Sequence, residues 1–207
     1  MKHYIVLAVF IMTKLKIWEV SLLCALCVSL LAGTWAQSKQ ENIASSLIRL
    51  HVVAVSDDKT EQEIKLRVRD EVLNCISPKL ENAQSANDAE SIIRANFGKI
   101  QRAAAREAQG RKVTVSLSEE YYPTRHYEGF SLPAGRYTSL RIILGEGKGH
   151  NWWCVVFPPL CVSAAEQQEA LDTMSGADRA ILTEADGYSV KFRVLELWGE
   201  LMEKLGQ

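Results

Sequence analysis

Gly145-Glu146-Gly147-Lys148-Gly149-His150-Asn151-Trp152-Trp153-Cys154-Val155-Val156-Phe157-Pro158-Pro159-Leu160-Cys161 decides how the second half of the chain folds. Three glycines in five residues free the backbone for positive φ or for the close approach of another segment. They lead into paired tryptophans and two cysteines, which offer large contact area and a means of locking a short loop, while Pro158-Pro159 stiffens the backbone between the cysteines. Tyr137 to Leu144 and Asn151 to Phe157 both have strand character, so the glycines between them predict a hairpin with Lys148 exposed at its tip. In a strand Trp152 and Trp153 face opposite sides, one toward the core and one toward solvent. The exposed one is the strongest binding candidate. Tryptophan and arginine dominate interface energetics, and Arg125, Tyr127, Arg136, Arg141 and Lys148 lie in the same half of the chain.

Upstream of this run, Val113 to Ser118 alternates as a half-buried strand. Tyr121 to Gly129 reads as an edge strand or extended loop, because Pro123 cannot donate to a ladder, and Leu132 to Gly135 is a turn. Ile48 to Val55 is rich in branched residues and reads as a buried strand ending at Ser56-Asp57-Asp58. Thr60 with Glu63 forms a capping-box pattern that opens a helix to about Ser77, before Pro78. Its apolar positions Ile64, Val68, Val72, Leu73 and Ile76 face the sheet, with Cys75 beside them as a packing thiol. A second helix starts near Asn87 and runs through Ala89, Ile93, Phe97, Ile100 and Ala104 to Gln109, with Gly98 placed to split it. Downstream of Cys161, a short helix from Glu166 to Thr173, a mobile connection over 175–187, a strand from Tyr188 to Val194 and an amphipathic helix from Glu196 to Leu205 complete the pattern. The fold class is α+β, a mixed α/β single domain over residues 47–207. It has one N-terminal strand, two helices, a mainly antiparallel strand-rich half and a C-terminal helix.

The 207 residues are 47% hydrophobic and 24% charged, which is ordinary globular composition. The formal net charge is −1, and Lys2, Lys14 and Lys16 against Glu19 are the charges of residues 1–36, so the remainder carries −3. No arginine-rich or basic-aromatic module is present, and nucleic acid is not an expected partner. Lys14 and Lys16 precede the apolar run Ile17 to Ala32, and Thr34-Trp35-Ala36 offers a peptidase site. Residues 1–36 therefore read as a signal peptide or as an uncleaved membrane anchor, the only expected membrane contact, with Met12 an alternative start. Residues 37–46 read as a polar linker. Cys24 and Cys27 fall in the leader, which offers no folded site for their spacing. In an exported chain Cys154 and Cys161 suit a disulfide, worth about 2 to 3 kcal/mol if unstrained.

The chemistry-bearing motifs are weaker than they look. The glycine run lacks the four-residue gap before Gly-Lys and any Ser or Thr after Lys148, and a strand rather than a helix comes next, so no nucleotide cradle is expected. A thiol-dependent hydrolase acting on cell wall or peptide is the alternative function. It would take Cys154 as nucleophile, His126, His150 or His51 as base, and Asp57 or Asn151 as orienter. A second cysteine seven positions on argues for an oxidised, inert Cys154 instead. His126, His150, Glu128 and Glu146 lack metal-site spacing. His51, among apolar residues on the first strand, reads as a packed or hydrogen-bonded side chain. No catalytic residue, metal or cofactor is assigned.

The chain resembles the stage II sporulation protein R family. The matching residues are Arg49-Leu50-His51-Val52 with Ala54 and Ser56-Asp57, Lys65 with Val68-Arg69-Asp70, and Pro123-Thr124-Arg125 with Tyr127. Leu132-Pro133-Ala134-Gly135 with Tyr137 and, above all, Gly145 to Cys161 complete the match. The resemblance implies an exported signalling protein that crosses the forespore membrane into the intermembrane space. Its implied partner is a membrane-embedded aspartic protease that, once activated, processes the early mother-cell pro-sigma factor. Under that reading Lys148, Trp152, Trp153, Arg125 and Tyr127 form the partner-binding set and Cys154 with Cys161 the clamp. One departure is His150, where the family pattern has glutamine, which counts against any role for an imidazole there.

Overall fold

The computed structural model describes the backbone of residues 2–127 and 130–160, with side chains from Ile17 onward except at residue 36. The expectations for Cys161, for the connection over 175–187 and for the strand and helices beyond 161 lie outside the described residues. The chain divides into two units, Met1–Lys39 and Gln40–Gln207. Helix α1 is Lys2–Ser46. In the first unit its side chains Ile17, Leu22, Leu26, Leu30 and Leu31 are all exposed. The segment from Ile17 is long and apolar enough to cross a membrane, a test that a signal sequence also passes. In the second unit the expected polar linker is helical through Ser46, and Ile43 and Ala44 are buried. Their apolar side chains find a core to cover, which outweighs the polar character of their neighbours.

The second unit begins with β1 (Ile48–Val53), in which every residue is buried. Three helices come next: α2 (Lys59–Leu80), α3 (Ala86–Ala95) and α4 (Phe97–Glu107). Ile64, Val68, Val72 and Ile76 form the fully buried stripe of α2, as their spacing predicts. Two boundaries differ from expectation. The N-cap of α2 is Asp58 rather than Thr60, and its carboxylate accepts from Ser56 Oγ at 2.6 Å instead of capping the helix. The helix also runs through Pro78, because burial of Leu80 and the Glu81 N–H bond to the Ser77 carbonyl hold the last turn past the donor that proline lacks. The second predicted helix breaks at Asn96, two residues before Gly98, where the Asn96 amide side chain donates to the Ile92 carbonyl at 2.8 Å.

Strands β2 (Val113–Tyr122), β3 (Arg125–Tyr127), β4 (Phe130–Leu132), β5 (Gly135–Leu144) and β6 (Asn151–Phe157) complete the unit. The main sheet has the order β2-β5-β1-β6, and β3 pairs with β4 alone. The predicted hairpin of β5 with β6 does not form. β1 lies between them, parallel to β5 and antiparallel to β6. A strand buried along its whole length gains most from the middle of a sheet, and β1 takes that place. The glycine run therefore crosses the end of β1 instead of turning back on β5. Its Lys148 and Gly149 N–H groups donate to the Val55 and Ala54 carbonyls at 3.3 and 3.0 Å.

Alternation along the strands gives the sheet two unlike faces. Ile48, Leu50, Val52, Leu140, Ile142, Leu144 and Val156 pack under α2, α3 and α4 in one apolar cluster. On the opposite face Tyr122, Tyr137 and Val155 meet Ile43, Leu47, Phe130, Leu132 and Leu160 in a second cluster. Arg49 and His51 project from β1 into that second face, so it carries polar groups that the helical face excludes.

Candidate functional site

His51 is held on β1 opposite Trp153 of β6 and Arg141 of β5. Its Nδ1 lies 3.2 Å from Glu120 Oε2. The same carboxylate oxygen accepts from Tyr122 Oη at 2.9 Å, and Tyr122 Oη lies 2.6 Å from Ser139 Oγ. Arg141 Nε is 3.2 Å from Glu120 Oε1, close enough for ion pairing but off the angle of a hydrogen bond. Burial opposes ionisation of Glu120, yet the hydrogen bonds from His51, Ser139 and Tyr122 and the charge of His51 outweigh it and hold its pKa at about 2. Burial is also the main cause that raises the Tyr122 phenol. This network fixes a carboxylate as an anion inside the sheet face.

Arg49 lies beside it, fully buried. Its Nη2 donates to Tyr127 Oη at 2.7 Å, and its Cζ stands 3.9 Å from the Tyr122 ring centroid and 5.2 Å from that of Tyr137. Arg125, from β3, stacks on Trp153 with its Cζ 3.7 Å from the ring. Tyr127 in turn stacks on Phe130 at 4.7 Å. Trp153 is therefore the inward tryptophan, 5.7 Å from the His51 ring and 6.0 Å from that of Tyr122.

Trp152 takes the other side of the sheet. It is 36% exposed, and the Arg69 guanidinium of α2 covers its ring at 4.4 Å. Asp70 pairs with Arg69 at 2.6 Å and also lines a cleft of about 390 Å³ between α2 and β6, with Leu73, Val155, Val156 and Pro159 among its walls. Because β6 is an edge of the main sheet, Trp152 and this cleft lie along a border that has no further described strand. Lys148 is exposed near that end of β6 and pairs with Glu146 at 2.5 Å.

The glycine run is a structural latch. The His150 N–H donates to Asp57 Oδ1 at 2.6 Å, and its carbonyl accepts from Lys65 Nζ at 3.1 Å. Lys65 is 5% exposed and also donates to Gln62. Burial lowers its pKa, with Asp57 opposing and Arg69 assisting. Both contacts of His150 just named are main-chain contacts, so a glutamine there keeps them. The imidazole Nδ1 also meets Asp57, whose pKa is lowered first by the backbone hydrogen bond.

The structure thus splits the five sequence-predicted partner residues between two faces. Lys148 and Trp152 belong to the α2 side, while Arg125, Tyr127 and Trp153 gather around Arg49. Alternation anticipated only that the two tryptophans part, not how the other three divide. Arg49, named only within the family match, and Glu120 are not among the sequence-predicted site residues, although Arg49 and His51 at alternate positions of an otherwise apolar strand were the available signal. The hydrolase constellation does not assemble around His51: alternation puts Cys154 on the helical face and His51 on the other. His126 Nδ1 is 2.8 Å from Ser131 Oγ, whereas His150 does meet Asp57, the candidate base with its candidate orienter. Cys154 is buried, and the free cysteines among the described residues are Cys24, Cys27 and Cys75.

Comparison with known proteins gives a consistent answer. A family model described as stage II sporulation protein R matches residues 44–167. The stage II sporulation protein R of Bacillus subtilis (strain 168) is 31% identical over 201 aligned residues, spanning 83% of this chain and 90% of the relative. No solved structure matches.

Proposed function

Because the chain belongs to the stage II sporulation protein R family, we propose that it is an exported intercellular signal of endospore formation that activates a membrane-embedded aspartic protease. The protease in turn processes the early mother-cell pro-sigma factor. The N-terminal apolar segment carries the chain across the forespore membrane into the intermembrane space, where it is cleaved or retained as an anchor. There Cys154 and Cys161 form a disulfide that ties the end of β6. The observation that carries the receptor contact is β6, an edge strand among the described residues, which presents Trp152 and, through Val155 and Val156, lines a cleft against α2. A large exposed aromatic at a strand edge is the kind of group that concentrates binding energy. Lys148 lies at the rim of this epitope. Binding shifts the receptor only so far as the epitope prefers the receptor's active arrangement.

Expression of the full chain in sporulating cells that lack their own family member tests this reading. Processing of the pro-sigma factor, followed by immunoblot, is expected to return. Accumulation of the exported chain without processing in cells that carry the protease overturns it.

A further inference from the structure

The second face of the sheet holds more buried donors than acceptors. Arg49 Nε, Arg49 Nη1, Arg125 Nε and Trp153 Nε1 are each out of contact with solvent and have no hydrogen-bond partner among the described residues. Arg49 is 0% exposed and His51 8%. These atoms belong to one neighbourhood: Arg125 stacks on Trp153, Trp153 and His51 both adjoin Tyr122, and Arg49 stacks on Tyr122. The two guanidinium groups are close enough to oppose each other's charge, with Tyr127 Oη accepting from Arg49. The carboxylate of Glu120, which contacts the cluster, is committed to His51, Tyr122 and Arg141.

An unpartnered buried donor costs about 1 to 3 kcal/mol, and more when it is charged. Stacking on tyrosine and tryptophan returns part of that for the arginines, but satisfies none of their in-plane N–H groups. Three neighbouring side chains thus hold four buried N–H groups with no acceptor among the described residues. The geometry points to an oxyanion site in which Arg49, Arg125 and Trp153 bind a carboxylate. Planar guanidinium forks match a carboxylate with two N–H bonds at once, and the aromatic walls exclude the water that would compete. Arg125 and Trp153, half-exposed where Arg49 is sealed, form the entrance. This inference does not depend on the sporulation reading.

The test follows the indole N–H resonances of the full chain in detergent micelles, with Trp153 assigned from a Trp153→Phe variant. Titration with sodium acetate is expected to move the Trp153 signal saturably and leave the other four tryptophans in place, while equal ionic strength of sodium chloride moves none. Arg125→Met, with an unchanged urea midpoint, is expected to weaken acetate by about tenfold, the loss of roughly one charge-assisted pair. Two blocked tripeptides distinguish the source of the carboxylate, one with a glutamate side chain and an amidated end, the other with a free C-terminus. Whichever binds more tightly than acetate identifies it, and equal binding assigns a small free acid. No movement of Trp153 with any of these probes, the same movement with chloride, or saturation by inorganic phosphate alone overturns the carboxylate site.

Discussion

Gly149→Ala is expected to destabilise the folded unit by about 3 kcal/mol, read as a lower denaturation midpoint with an unchanged slope in urea. A Cβ at position 149 would stand 2.2 Å from the Ser56 carbonyl oxygen, 2.5 Å from its carbon and 2.9 Å from its Cα. All three are backbone atoms, so no side-chain rotation relieves the overlap. The connection between β1 and α2 must shift instead. That shift breaks the Gly149 and Lys148 bonds to Ala54 and Val55 and loosens the Asp57 and Lys65 contacts to His150. Each broken backbone pair contributes about 1 kcal/mol, and the steric term adds to them. Within the glycine run Gly147 is the second tight position, with positive φ and a Cβ site 2.6 Å from Ile143 Cγ2.

Glu120→Gln is expected to cost about 2 kcal/mol at pH 6 and almost nothing at pH 2. The folded pKa of Glu120 is lowered from an ordinary 4.5 to about 2, so its contribution is complete above 4.5 and is lost as pH falls toward 2. A depression of that size corresponds to about 3 kcal/mol, and the carboxylate's 18% exposure reduces it to about 2. Glutamine keeps an oxygen for Tyr122 but gives up the charge that His51 and Arg141 face. Urea unfolding of both proteins at pH 6 and pH 2 checks the sign. A difference in stability that is the same at both pH values removes ionised Glu120 from the account.

The elements themselves were largely legible, because their signals are local. Val113 to Ser118 alternates and becomes part of β2; Ile64, Val68, Val72 and Ile76 recur at helical spacing and become the buried stripe of α2. The α+β class comes from those periods. Sheet order was less accessible. The connection over 145–150 suits a direct hairpin or a crossing over one intervening strand, and only the burial of β1 on both faces separates them. The candidate site was legible on one side alone. Alternation put Trp152 and Trp153 on opposite faces without saying which is outward, whereas Arg49, Glu120 and Trp153 are far apart in the chain and meet through strand pairing that no local pattern records. Glu120 in particular comes after Glu119, and two adjacent acids at a strand end read as a solvated edge. Pairing β2 with β5 turns one of them toward His51 and leaves the other exposed.

The proposal that β6 presents the receptor epitope is tested most directly by one rate. The protease and its pro-protein substrate are reconstituted in lipid vesicles, and processing is followed at limiting concentrations of the full chain carrying Trp152→Ala or Trp152→Phe. The account predicts that alanine lowers the rate by at least about tenfold, as loss of an interface aromatic does, while phenylalanine keeps most of it. Processing at the unsubstituted rate by a Trp152→Ala chain with an unchanged urea midpoint would contradict it.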